Sequence, residues 1–195
     1  KVVRFKTDDG TGQLDGFTTG GPVKSSPFVD AGWGGANNNL YMTSTDGKLY
    51  SRTAANLNTL PANWGDFTTS PLSPIYSSPW IATLDKKYAF FWDESGSLYK
   101  VDASSGAPDG LIWKYQAQGA IRTMPIVYGG YVYFGTLDGY VYALNANTGA
   151  LRNGWPVSLG GAVRGELMIE EMTVSHAVLV LGASDGKTYM LEIKP

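Results

Sequence analysis

Met124-Pro125-Ile126-Val127, Tyr131-Val132-Tyr133-Phe134, Asp138-Gly139-Tyr140-Val141-Tyr142, Asn145-Ala146-Asn147-Thr148-Gly149 and Gly154-Trp155 make up one copy of a phrase that the chain writes four times. The other copies centre on Asp46-Gly47-Lys48-Leu49-Tyr50, Glu94-Ser95-Gly96-Ser97-Leu98-Tyr99 and Asp185-Gly186-Lys187-Thr188-Tyr189. Their closing tyrosines, Tyr50, Tyr99, Tyr142 and Tyr189, lie 49, 43 and 47 residues apart. A period of forty-odd residues, each holding several short strands, is the mark of a β-propeller blade.

Each copy parses into four strands. The first follows a proline in three copies, at Phe28-Val29, Trp80-Ile81 and Ile126-Val127, and is Met168-Ile169 in the fourth. An apolar second strand leads to the Asp-Gly turn, which favours a two-residue type I′ hairpin because both residues tolerate positive φ. The third strand ends at the turns Asp102 to Gly106 and Asn145 to Gly149, and Trp64, Trp113 and Trp155 mark the fourth. These tryptophans, with Trp80 and Trp92 on strands, read as core between blades.

The fourth copy has no such last strand before Pro195. Val2-Val3-Arg4-Phe5-Lys6 lines up with Ile112-Trp113-Lys114-Tyr115-Gln116, with Val3 in the tryptophan slot. The sequence therefore predicts an all-β, single-domain propeller of four four-stranded blades. Its repeats cover 23–67, 75–116, 121–158 and 163–195, the last completed by residues 1–6. Pairing the N-terminal strand with the C-terminal blade would close the ring and remove exposed sheet edges. A segment of a longer array, or half of an eight-bladed pair, is the alternative.

Composition agrees with an all-β reading. The 195 residues include 25 Gly, 12 Tyr and 6 Trp, and only 16% are charged, which suits strands and tight turns. A net charge of −2 gives no long-range attraction for nucleic acid. No apolar run reaches the roughly 20 residues of a membrane-spanning helix. The chain opens at Lys1 without Met and without a signal-like apolar segment, which reads as a processed or trimmed species. Low charge with abundant Gly, Asn, Ser and Thr points to an exported protein, whether periplasmic, cell-surface or extracellular.

The x-Ser-Pro and Asp-Gly-x-Leu-Tyr-Ala-x-x-Ala-x-Thr-Gly-x-x-x-Trp pattern is clearest at 124–155 and 78–113. It resembles the pyrroloquinoline-quinone-like propeller repeat. That family includes quinoprotein dehydrogenases, an outer-membrane assembly scaffold, pilus-tip adhesins and surface proteins without enzymatic activity. Its dehydrogenases set an adjacent cysteine pair against the cofactor, and this chain contains no cysteine. The resemblance therefore implies a non-catalytic member without a cofactor.

Catalytic equipment is sparse. His176 is the only histidine, which excludes multi-histidine metal sites, and no Gly-x-Ser-x-Gly elbow occurs. The acidic pairs Asp93-Glu94 and Glu170-Glu171 read as solvent-facing residues beside turns. Three residues before each proline, or its equivalent, stand Lys24, Tyr76, Arg122 and Arg164, each preceded by Val23, Ile75, Ile121 or Val163. The repeat places them at the mouth of each innermost strand, where cations favour a carboxylate or an acidic partner loop. Pairing with neighbouring carboxylates or carbonyls is the structural alternative. Trp33, set among glycines, is a second candidate for docking a protein or a sugar.

The connection before the first inner strand is long and contains Asp8, Asp9 and Asp15. Calcium is the ligand such oxygens would take. The spacing departs from Asp-x-Asp-x-Asp-Gly and no glutamate closes it, so a solvated loop is the preferred reading and no metal is assigned. The function read from sequence is a non-enzymatic interaction module for a protein partner, working as a monomer or as a domain of a larger assembly. A carbohydrate-binding or carbohydrate-active propeller, and a structural subunit or fragment of a larger propeller or filament, are the alternatives.

Overall fold

The structure is a computed structural model of the chain, and it describes all residues except 6–12, 31–37, 62–63, 104–109, 174–175 and 195, and the side chains of 13–14. All regular structure in the described residues is strand. The chain divides into two compact units, Lys1–Asp93 with Lys100–Ile112, and Glu94–Tyr99 with Trp113–Pro195.

The first unit begins with a hairpin of β1 (Val2–Phe5) and β2 (Gln13–Phe17). A four-stranded antiparallel sheet follows, in the order β3 (Phe28–Asp30), β4 (Asn39–Ser44), β5 (Lys48–Thr53) and β6 (Phe67–Thr68). The next sheet runs β10-β9-β8-β7, from β7 (Trp80–Thr83) and β8 (Lys87–Trp92) to β9 (Ser97–Asp102) and β10 (Leu111–Gln116). The boundary between the units crosses β9 and β10. In the second unit β11 (Ile126–Tyr128), β12 (Tyr131–Gly135), β13 (Tyr140–Asn145) and β14 (Val157–Ser158) form the third repeat's sheet. The fourth sheet has three strands, β15 (Met168–Thr173), β16 (His176–Gly182) and β17 (Thr188–Ile193).

Strand pairing does not close the ring as the sequence predicts. β1 pairs antiparallel with β2, Val2 opposite Phe17 and Arg4 opposite Asp15, and β17 stands at the edge of its sheet. Pairing within a short hairpin closes a far smaller loop than pairing across the whole chain, so it loses less entropy. The hairpin is also fixed by charge, because the Arg4 guanidinium bonds the Asp15 carboxylate and donates to the Ala54 carbonyl. Phe17 stands ten residues before Pro27, as Tyr115 stands ten before Pro125. Phe17 packs 5.7 Å from Tyr50, as Tyr115 packs 5.9 Å from Tyr142. So β2, and not β1, holds the outer-strand position ahead of the first sheet.

The Asp-Gly turns differ from the two-residue form. Ser44 pairs with Lys48, so three residues form the loop, and Gly47 donates to the Ser44 carbonyl with φ +77°. Only the glycine needs the left-handed region, which frees the aspartate side chain for another task. At the far end of the third sheet's hairpin, the Asn145 side chain accepts from the amides of Asn147 and Thr148. Gly149 closes that turn at φ +72°. The Trp113 indole lies against it and donates to the Ala146 carbonyl at 3.2 Å. Trp64 and Trp113 are buried, whereas Trp155 is half-buried and packs edge-on 5.7 Å from Tyr133. The ladders of β6 and β14 begin after Trp64 and Trp155, so only Trp113 lies in a fourth strand.

Gly149→Ala is expected to cost about 2 kcal/mol or more in urea unfolding. It adds a clash with Trp113, 2.9 Å from the new Cβ, to the left-handed backbone penalty. Gly130→Ala, at φ +77° with nothing within 4 Å, meets only that penalty of roughly 1 kcal/mol. In a Trp113→Ala background the two costs converge.

Candidate functional site

Three of the incoming segments bridge to the strand beside them, Ile75 to Asp93, Ile121 to Thr136 and Val163 to Ala183. Ile75, Ile121 and Val163 are fully buried, while Val23 at the first sheet is only half-buried. Asp93, expected in solvent, is 1% exposed because it occupies this bridging position. Burial of one residue turns the next one outward, so Lys24, Tyr76, Arg122 and Arg164 stand at surface positions as the repeat demands.

Their partners differ. In the first unit Lys24 Nζ lies 5.5 Å from the centre of the Tyr76 ring, a cation–π contact. In the second, Arg122 is paired with Glu94 and also donates to the Ile121 carbonyl at 2.8 Å. The structure thus brings Lys24 to Tyr76 and neutralises Arg122. Arg164 has no hydrogen bond or ion pair among the described residues.

Arg164 lines a cavity of about 270 Å³ with Ala162, Gly165, Gly182, Ala183 and Ser184. A hydroxyl present in the other copies is missing here. In the first three sheets a Ser or Thr two residues before the proline bonds the second strand: Ser25 with Thr43, Ser77 with Trp92, and Thr123 with the Gly135 amide at 2.8 Å. In the fourth sheet that residue is Gly165, and a Cβ there would meet nothing within 4 Å.

The cavity adjoins a sheet face that carries two exposed methionines. Across the fourth sheet Met168 pairs with Val180 and Val180 with Met190, so all three share one face. Met168 is 57% and Met190 68% exposed. The matching row of the third sheet, Ile126, Tyr133 and Ala143, is packed against the fourth sheet's other face through Leu179, Ile169 and Leu191. Gly135 has the Val163 side chain directly on it, whereas its counterpart Gly182 has nothing within 4 Å.

Two further groups lie apart from that face. Asp46 accepts from the Tyr50 hydroxyl at 2.6 Å, which in turn receives the Gly20 amide at 3.3 Å. The same device recurs as Asp185, Tyr189 and the Gly160 amide. Lys100 is 1% exposed, with Nζ 3.6 Å from the centre of the Tyr88 ring. Burial holds its ammonium below the ordinary lysine range. The sequence reading passed over it, although it stands where Ser51, Ala143 and Met190 stand in the other copies.

Trp33, Asp8 and Asp9 lie outside the described residues. Asp15 is ion-paired to Arg4. No cluster of metal-ligating side chains occurs among the described residues.

The family profile described as outer membrane protein assembly factor BamB matches residues 36–194, and the chain belongs to this family of pyrroloquinoline-quinone-like propeller repeats. No curated protein sequence matches it. Among solved structures it is similar to the computationally designed Ika4 protein, with TM-score 0.66 and 14% identity over 92% of this chain and 96% of that one. BamB from Moraxella catarrhalis is similar with TM-score 0.59 and 18% identity over 91% of this chain. BBS1N, solved in complex with ARL6DN, gives TM-score 0.64 and 13% identity over 89% of this chain. The chain spans 52% of that BamB chain and 53% of BBS1N. These likenesses establish the propeller fold.

Burial, and then the hydrogen bond to Asp46, push the Tyr50 hydroxyl up to about 12. An unfolded tyrosine loses its proton near pH 10, so the folded state holds the proton longer. The stability this supplies is complete below pH 10 and is lost as pH rises towards 12. Chemical denaturation across that window is expected to show a shallower fall in stability for Tyr50→Phe than for the unaltered chain.

Proposed function

We propose that this member of the BamB-type family is a non-enzymatic protein-binding module of an exported protein, and that the fourth sheet is its contact surface. The observation that carries the reading is the apolar row Met168, Val180 and Met190, its two methionines exposed, beside a cavity whose one cation is unpaired among the described residues. An exposed apolar patch rimmed by charge is the usual form of a protein contact. Arg164 supplies the polar specificity, because a guanidinium pairs bidentately with a carboxylate. Lys24, Tyr76 and Arg122 contribute less, being committed to Tyr76, Lys24 and Glu94 respectively. The exported setting rests on the BamB family name and on the low-charge, Gly- and Asn-rich composition.

The test is fluorescence anisotropy with a labelled peptide of glutamates and leucines. Arg164→Ala is expected to weaken binding about tenfold, the loss of one charge-assisted pair. Arg122→Ala, whose charge is already matched by Glu94, should leave binding within about twofold. Equal losses in both variants, or none in Arg164→Ala, would overturn the assignment of the cavity.

A further inference from the structure

We infer that the protein partner adds a strand to the edge of the fourth sheet, antiparallel to β17, with an acidic side chain opposite Thr188. This names the form of the partner in the protein-binding reading and rests on it. In the other three sheets the amide just after the fourth strand is tied to the hairpin turn. Thr69, Ala117 and Leu159 donate to the carbonyls of Gly47, Gly96 and Gly139 at 2.9, 3.0 and 2.7 Å. The corresponding carbonyl, that of Gly186, accepts no hydrogen bond among the described residues, and β17 is paired only to β16. Asp185 holds this turn through the Lys187 amide and the Tyr189 hydroxyl, so the acceptor is in place before a strand arrives. A segment added to such an edge takes its affinity from main-chain bonds and its specificity from alternate side chains.

The neighbouring residues specify those side chains. In the first and third sheets the fourth strand sets Phe67 and Val157 opposite Leu49 and Val141, both fully buried. The matching residue of β17 is Thr188, which is exposed, and Gly182 lies across from it in β16. A short hydroxyl and a glycine leave little side chain between the edge and the cavity that Arg164 lines. Gly182 would stand two strand spacings, about 10 Å, from the added strand, within the combined reach of a glutamate and an arginine. A carboxylate on that row meets donors at Thr188 and Arg164. Two residues earlier the added strand passes Met190, where an apolar side chain extends the row with Val180 and Met168. Four residues earlier it passes Glu192, which shares a row with Val178 and Glu170. The Glu192 side chain is 76% exposed, and its one ion-pair partner among the described residues, His176, is 3.8 Å away. A lysine on the partner complements this acidic row and fixes the register.

Fluorescence anisotropy with the labelled peptide Lys-Thr-Leu-Thr-Glu-Ser-Val is expected to show saturable binding. Amides alternate in direction along a strand, so the valine N–H meets Gly186 and the serine N–H points away from β17. N-methylation of the valine should weaken binding about tenfold or more, and of the serine less than about twofold. Glu192→Lys should weaken binding of this peptide, and a peptide with glutamate in place of its lysine should restore it. Equal effects of the two methylations, no recovery in the charge-swapped pair, or no binding of the peptide would each overturn the inference. In every case the Arg164→Ala comparison with the glutamate–leucine peptide decides the protein-binding reading separately.

Discussion

The first and fourth sheets are each held by a carboxylate that reaches two ways. In the first sheet Asp46 accepts the Lys48 amide at 3.2 Å within its own turn and the Tyr50 hydroxyl at 2.6 Å. Tyr50 then holds the Gly20 amide, and the Thr45 amide donates to the Pro22 carbonyl at 3.0 Å. The fourth sheet repeats the set with Asp185, Lys187, Tyr189, Gly160 and the Ser184-to-Ala162 bond. A charge-assisted bond to a buried phenol is stronger than a neutral one. One short motif thereby fixes both the hairpin and the chain that enters beneath it. The close packing leaves no room for a side chain on the incoming segment: a Cβ on Gly160 would lie 2.4 Å from an Asp185 oxygen.

The second sheet departs from this arrangement. Ser95 stands where the other copies have the aspartate, and the turn is instead tied by Ser97 and Gln116, whose amide nitrogen also donates to the Ser95 carbonyl. Glu94, the residue before Ser95, is the one that neutralises Arg122. The fourth repeat departs in another way, with Gly165 where the others have a hydroxyl, and there the cation lines a cavity without a partner among the described residues. Differences between copies, and not the shared pattern, produce the candidate site.

Most of the fold was legible in the sequence because its signals are local and periodic. The Asp-Gly turns, the apolar second strands and the outward position of Lys24, Tyr76, Arg122 and Arg164 all follow from a two-residue alternation between fixed landmarks. Closure was not legible, because Val2–Lys6 carries a strand pattern that says nothing of which edge it joins. The competing strand, Gln13–Phe17, contains Asp15 and Gly16 and lacks the usual β signature. Its place becomes clear only from the spacing of Phe17 to Pro27. Within the site, the sequence grouped four residues by symmetry. It could not show that Tyr76 and Glu94 would occupy two of the three cations, since both contacts depend on side-chain reach. The open face was hidden for a related reason. Met168, Val180 and Met190 are as apolar as any core row, and only the exposure of the two methionines separates them from Ile126, Tyr133 and Ala143.

The most direct measurement of the two-way carboxylate is amide hydrogen exchange in Asp46→Ala. If that side chain holds the incoming chain to the hairpin, exchange should accelerate at Gly20 and Thr45 while Met42 and Leu49, in the β4–β5 ladder, stay protected. Unchanged exchange at Gly20 and Thr45, or uniform acceleration across the sheet, would contradict it.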